Sequence, residues 1–255
     1  MKLIALAALL PVTCSLSTTL AQSLNIDFGI TGTVPSDSYA AAGLAGRWNA
    51  IGEIPQGPPL LFGLDGAPTI VALFIDFGGS PVEHNDPATT GDDERLFDDF
   101  LFGLGDVPRR FRFFNLTAGW YRVITYGWTP GAPGETTGVF IDGQLDDYQV
   151  AGGIWPGHPV QGITHTIHYT SVIDSPLNIV TGGGTFGDSG NVNGIQLVRL
   201  GPPCLADWNH DGLMNSADFF EFTADFFNAN ADFNRNGATT SADFFDFLTA
   251  FFAGC

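Results

Sequence analysis

The chain has 255 residues, 44% of them hydrophobic, enough for a packed core in one large domain or two smaller ones. Its 27 Asp and Glu outnumber 9 Lys and Arg, a formal net charge of −18; such a surface repels phosphate backbones and anionic lipids, which excludes nucleic-acid binding and electrostatic membrane attachment. Lys2 is the one lysine, so a Schiff base and a P-loop lysine are excluded once the N-terminus is removed.

Residues 1–21 read as a secretory signal. Lys2 precedes an apolar stretch of about ten residues, and Thr19-Leu20-Ala21 supplies a small-residue cleavage site. A lipid-modified Cys14 is the alternative. The stretch is too short to cross a bilayer, and no other segment approaches the ~20 apolar residues a membrane helix needs. The expectation is an exported chain, secreted or at the cell surface, with no transmembrane segment.

Residues 22–200 read as all-β. Candidate strands at 24–30, 69–77, 110–116, 120–128, 137–141, 163–170, 177–181 and 192–200 are rich in β-branched and aromatic residues and bounded by Gly, Pro, Asn and Asp. One short helix is predicted over 93–102, and Asp142-Gly143 signals a hairpin. Eight strands separated by turns suggest a two-sheet sandwich of jelly-roll type. The order of LTAGWYRVITYGW, GVFIDGQ and GNVNGIQLVRL resembles galactose-binding-like sandwiches, including carbohydrate-binding and malectin-like ones. That resemblance implies a domain that binds sugar.

The same region gives no catalytic residues. It lacks a G-x-S-x-G elbow. His165 and His168 stand three apart, which on a strand sends them to opposite faces. Asp92, Asp93, Glu94, Asp98 and Asp99 cluster at the predicted helix, where acids favour the N-terminal dipole. For stacking on a sugar ring the candidates are Trp128, before Pro-Gly-Ala-Pro-Gly, Trp155, in Gly-Gly-Ile-Trp-Pro-Gly, and Tyr126. Core burial is the competing reading for each, and the favoured one for Trp48 and Trp120.

Gly201-Pro202-Pro203 forms a linker, 201–203, before a region of different composition. Residues 204–255 hold 11 of the 23 Phe. Cys204 and Cys255 are the two cysteines left after removal of 1–21, and an even count in an oxidising compartment predicts a disulfide between them.

Within this region the sequence repeats itself at an offset of 25 residues, the segment from Asp207 to Phe220 matching that from Asp232 to Phe245. Each copy places side-chain oxygens at positions 1, 3, 5, 9 and 12 of a loop with Gly at position 6, the spacing a calcium ion takes. The first loop offers Asp207, Asn209, Asp211, Asn215 and Asp218 with the carbonyl of Leu213. The second offers Asp232, Asn234, Asn236, Thr240 and Asp243 with the carbonyl of Ala238. Three carboxylates line the first loop and two the second, so the second site is expected to be weaker. The alternative is a pair of Asx-rich turns that cap helices.

Helices follow at 216–227 and 241–252. Phe219, Phe222 and Phe226 share one face, as do Phe244, Phe247 and Phe251. Phe220 and Phe227 make a second stripe, matched by Phe245, Leu248 and Phe252. Two short helices hide one stripe each, leaving the second for a partner or for the N-terminal domain.

A duplicated loop-then-helix unit with a closing Phe-Phe-Ala-Gly-Cys and a preceding Cys204 resembles the GC-type dockerin domain of secreted planctomycete proteins. The resemblance implies a small all-α module with Ca2+ as cofactor. It also implies a cohesin-like or other extracellular scaffold protein as partner, contacted by Ser216 and Ala217, Ser241 and Ala242, and the helices behind them. The stripe pattern, not the resemblance, adds Phe220, Phe227, Phe245 and Phe252 to that surface, and Phe-rich helices depart from many cohesin-binding members. The combined expectation is a secreted, non-catalytic modular protein of a β-sandwich, 22–200, and a calcium-dependent docking module, 204–255. A polysaccharide-degrading hydrolase or lyase on the sandwich, or a structural surface protein, are the alternatives.

Overall fold

A computed structural model describes residues 22–29, 34–52, 59–76, 81–103, 107–144, 147–182 and 189–254. Residues 1–21, expected to be a secretory signal, with Cys14, and Cys255 lie outside them. The strands are β1 (Leu24–Asp27), β2 (Trp48–Ala50), β3 (Ala72–Ile75), β4 (Pro81–Glu83), β5 (Asp99–Leu101), β6 (Arg109–Phe114), β7 (Gly119–Tyr126), β8 (Thr136–Ile141), β9 (Gln149–Gly152), β10 (His165–Val172), β11 (Leu177–Thr181) and β12 (Gly194–Gly201). The helices are α1 (Asp92–Phe97), α2 (Ser216–Phe227) and α3 (Ser241–Ala253).

Two five-stranded sheets form, in the orders β10-β7-β12-β1-β2 and β3-β6-β11-β8-β9, with β4 and β5 as a separate ribbon. All pairings are antiparallel except β1 with β2. Alternation explains which face is covered. In β6, Phe111 and Phe113 point inward while Arg110 and Arg112 are half-exposed. Phe111 and Phe113 share one core with Leu24 and Ile26 from β1, Tyr121 and Val123 from β7, and Ile195 and Leu197 from β12. Side chains of both sheets thus meet in one layer, which makes the N-terminal region a β-sandwich.

The first sheet is also covered on its outer face. Ile124, Tyr126 and Val198 pack there with Trp48, Leu96, Phe97 and Trp128, under residues of the 34–44 segment. This second core explains why β1 is buried along its whole length and why β7 ends in four successive buried residues.

The predicted helix over 93–102 is shorter than expected. α1 ends at Phe97 because Asp98 turns inward, accepting from the Thr89 hydroxyl (2.6 Å) and the Asp86 amide (2.8 Å). The next three residues become β5, which pairs with β4. Acids at the start of α1 bind neighbours: Asp92 accepts from the Ser36 amide and hydroxyl and pairs with Arg95, and Asp93 accepts from the Tyr39 hydroxyl. Among the described residues no helix is long and apolar enough to cross a membrane.

Helices α2 and α3 close a third, aromatic core. Phe222 and Phe247, equivalents in the repeat, stack at 3.9 Å between centroids and 3° between planes. Phe219 meets Phe251 at 6.2 Å and Phe244 meets Phe226 at 5.4 Å. Exchanging the two copies turns one of these contacts into the other, so the helices pack about a near two-fold axis. Leu248, expected in the outer stripe, instead packs against this core.

Candidate functional site

The two loops have the same backbone. His210 and Arg235, at position 4, have φ of 58° and 60°, and Gly212 and Gly237, at position 6, have 86° and 91°. Only glycine takes the last conformation without strain, which is what the sharp turn at position 6 requires. Each loop then runs into a capping box. Asn215 caps α2 and Thr240 caps α3, and the Asp three residues on bonds back to the cap amide.

In the first loop, Asp218 accepts from Trp208 (2.8 Å) and Asn209 (3.2 Å) through Oδ1, and from Asn215 (2.7 Å) through Oδ2. The buried Asp207 accepts from the Gly212 amide at 3.2 Å through Oδ2, while its Oδ1 meets no donor. Burial first, and then the charges of Asp218 and Asp211, push the Asp207 carboxyl up to about 6. Asn209 and Asp211 each accept from the amide two residues ahead, and the Leu213 carbonyl accepts from Asn215.

The second loop repeats this with fewer charges in a more exposed setting. Asp232 accepts from Asn236 and Gly237, Asn236 from Ala238, and Asp243 from Asn234 and Thr240. Those bonds, led by the one from Asn234, hold the Asp243 carboxyl below its usual value. Asn234, which offers its Oδ1 to the Asn236 amide, turns its amide nitrogen outward to Asp246. Among the described residues no three His, Cys, Asp or Glu side chains are grouped as a metal centre. What converges in each loop is a mixture of carboxylate, amide and hydroxyl oxygens, the donor chemistry of a hard cation.

Behind the loops the expected outer stripe is open. Phe220 and Phe245 are 67% and 63% exposed, and Phe227 and Phe252 80% and 81%. The sandwich does not cover them. Ser216, Ser241 and Ala242 are exposed and Ala217 half-buried at the helix starts.

The sandwich touches the first loop instead. A Cβ on Gly212 would sit 2.7 Å from the ring of Tyr169 on β10, whereas Gly237 has open space around it. Ser171 donates to the carbonyl of Cys204 at 2.7 Å. A cavity of about 540 Å3 lies at this junction, lined by Gln144 and Asp147 on one side and by Asn209, His210, Asp211 and Asp225 on the other. Local spacing in the sequence carries no sign of this contact, because Tyr169 and Gly212 lie on separate elements. Cys204 is disulfide-bonded; its expected partner, Cys255, lies outside the described residues.

Two of the three proposed sugar-stacking residues are corrected. Tyr126 is fully buried, its hydroxyl donating to Gln196 and accepting from the Ala42 amide. Trp128 is buried too, its indole N–H donating to the Gly153 carbonyl at 2.9 Å and its ring edge-on to Phe97. The second core uses both rings, so neither offers a face to a ligand. Trp155 is half-buried, packed on Phe97 and Trp128 beside the exposed Ile154.

No family model matches the chain, and no curated protein does. Solved structures with distant similarity include a β-glucuronidase from Bacteroides uniformis, with 16% identity and a TM-score of 0.38 over 70% of this chain and 18% of that one. A plant receptor-like kinase, FER, has 12% identity and a TM-score of 0.42 over 71% and 43%. A family 35 carbohydrate binding module from Clostridium thermocellum has 14% identity and a TM-score of 0.31 over 51% and 99%. The chain spans less than half the length of the first two.

Proposed function

We propose that this is an exported, non-catalytic protein whose C-terminal unit, 204–255, binds calcium and docks the chain to an extracellular scaffold partner, as dockerin-like modules do. The observation that carries this reading is a duplication: each repeat joins an oxygen-lined loop to a helix that exposes two phenylalanines. Asp207 supports the metal half of it, since a buried carboxylate with an unpartnered oxygen beside two further carboxylates gains most from a cation. Four exposed phenylalanines support the docking half, because an apolar strip of that kind marks an interaction surface. Acidic Glu221 and Asp246, exposed next to that strip, favour a partner with a basic rim.

The test is capture from the exported proteins of the producing organism, with the full chain as bait. One partner is expected in calcium, none in chelator, and none with Phe220, Phe227, Phe245 and Phe252 all changed to Ala. Equal capture by that variant, or in chelator, would contradict the docking surface.

Sugar binding by the sandwich is a second reading, favoured by Trp155, whose ring lies half-buried beside exposed Ile154. A glycan array probed with the full chain and with Trp155→Ala tests it. A signal unchanged by the substitution would remove Trp155 from the account.

A further inference from the structure

Arg109 opens β6 on the inward face of the sandwich. Alternation puts it in one row with Phe111 and Phe113, whereas Arg110 and Arg112 lie half-exposed on the other face. Those two each reach an Asp, Arg110 at 3.8 Å from Asp142 and Arg112 at 2.6 Å from Asp76. Arg109 does not. It is 2% exposed, its Nη2 donates to the Phe102 carbonyl at 2.9 Å, and its Nε and Nη1 meet no acceptor. Among the described residues the ion pairs are Arg95–Asp92, Arg110–Asp142 and Arg112–Asp76, and none includes it. Burial alone lowers its pKa, with no opposing charge to hold it up.

Thr181, the last residue of β11, stands directly opposite Arg109. Opposed residues of an antiparallel pair point to the same side, with Cβ atoms about 5 Å apart. Thr181 is 1% exposed, and its hydroxyl meets no partner. The next inward pair along these strands, Phe111 and Ile179, belongs to the main core. Three unmet donors, the Nε–H and Nη1–H of Arg109 and the hydroxyl of Thr181, are thus collected at one end of the layer between the sheets.

A guanidinium does not shed its proton, so this position holds a positive charge against an apolar core. Water would accept the hydrogen bonds and leave the charge uncompensated. An anion answers both needs. The donor set fits a small monovalent ion, with charge-assisted bonds from Arg109 and one charge to match one guanidinium.

We propose that Arg109 and Thr181 form a buried halide site between the two sheets, taken by chloride and separate from the terminal calcium loops. The ion accepts from the Nε–H and Nη1–H of Arg109 and from the Thr181 hydroxyl. It ties the start of β6 to the end of β11. Both residues are closed to any larger anionic group, so the site takes an ion and neither a polymer nor a sugar acid.

The experiment follows thermal unfolding of the full chain in saturating calcium while sodium methanesulfonate, a bulky monoanion, is replaced by sodium chloride at constant ionic strength. Wild type should gain unfolding temperature with the logarithm of chloride concentration once that exceeds the dissociation constant, as a ligand bound only by the folded form requires. Thr181→Val keeps the side-chain shape and loses the hydroxyl, and should move the onset of that rise to roughly tenfold higher chloride, the worth of one hydrogen bond to an ion. Arg109→Met removes the charge together with the need for a counter-ion. It should fold with at least wild-type stability in methanesulfonate and ignore chloride. Crystals grown in bromide should carry an anomalous peak between Arg109 and Thr181. No chloride response in wild type, or one that Arg109→Met retains, would overturn the site, and so would the absence of bromide from that position. A site filled by water alone predicts the first of these results.

Discussion

His165 is an imidazole kept neutral inside the first sheet. It is buried against the ring of Tyr126 at 5.6 Å, with Nδ1 3.0 Å from the Thr164 hydroxyl. Burial, and then the Arg122 charge, lower it to about 4. An unfolded histidine titrates near 6.5, so between those values the unfolded chain takes a proton that the folded one refuses. Stability from this group is complete above about pH 6.5 and is lost as the pH falls towards 4. Urea unfolding between pH 4.5 and 7 should therefore show a shallower pH dependence in His165→Gln than in wild type, and identical slopes would contradict the assignment. Strand position showed only that His165 and His168 point to opposite faces; that both faces are covered, so that each histidine is buried, was not legible. Nor was the burial of Tyr126 and Trp128, because an aromatic at a strand end looks the same whether a distant segment covers it or solvent does. The covering residues, from 34–44 and α1, lie some 30 to 90 positions away in the chain.

At the scale of elements, α2 and α3 began where the spacing placed them because each start is fixed locally, by a cap, a capping box and a 25-residue repeat. β2, β4 and β5 have three residues each and β9 has four. Such pieces carry no alternation to read and exist through their neighbours' hydrogen bonds. The aromatic stripes differ in kind, and substitution should separate them. Phe222→Ala removes half of the 3.9 Å stack and should cost about 3–5 kcal/mol in unfolding of the C-terminal unit. Phe220→Ala, from the open stripe, should change stability by no more than about 0.5 kcal/mol. Equal costs would mean that the outer stripe is covered after all.

Across the whole molecule, the duplicated unit is symmetric within itself and asymmetric in its surroundings. Its first loop rests on β10 and its second is open. Alanine at either loop glycine is strained by the positive φ, at about 1–2 kcal/mol. At Gly212 the added methyl also meets the Tyr169 ring, so Gly212→Ala should destabilise the full chain by roughly 1–3 kcal/mol more than Gly237→Ala. Chemical unfolding of the two variants in calcium measures the difference, and equal effects would mean that the sandwich does not support the loop. The same asymmetry adds to the charge difference between the loops, since rigidity and carboxylate count both raise affinity for calcium. Calorimetric titration of the chelator-treated full chain with calcium tests the central claim most directly. Wild type should take up two equivalents more than the Asp207→Ala/Asp232→Ala variant, the tighter of the two being lost in Asp207→Ala alone. Equal uptake by wild type and the double variant would contradict calcium binding by the duplicated loops.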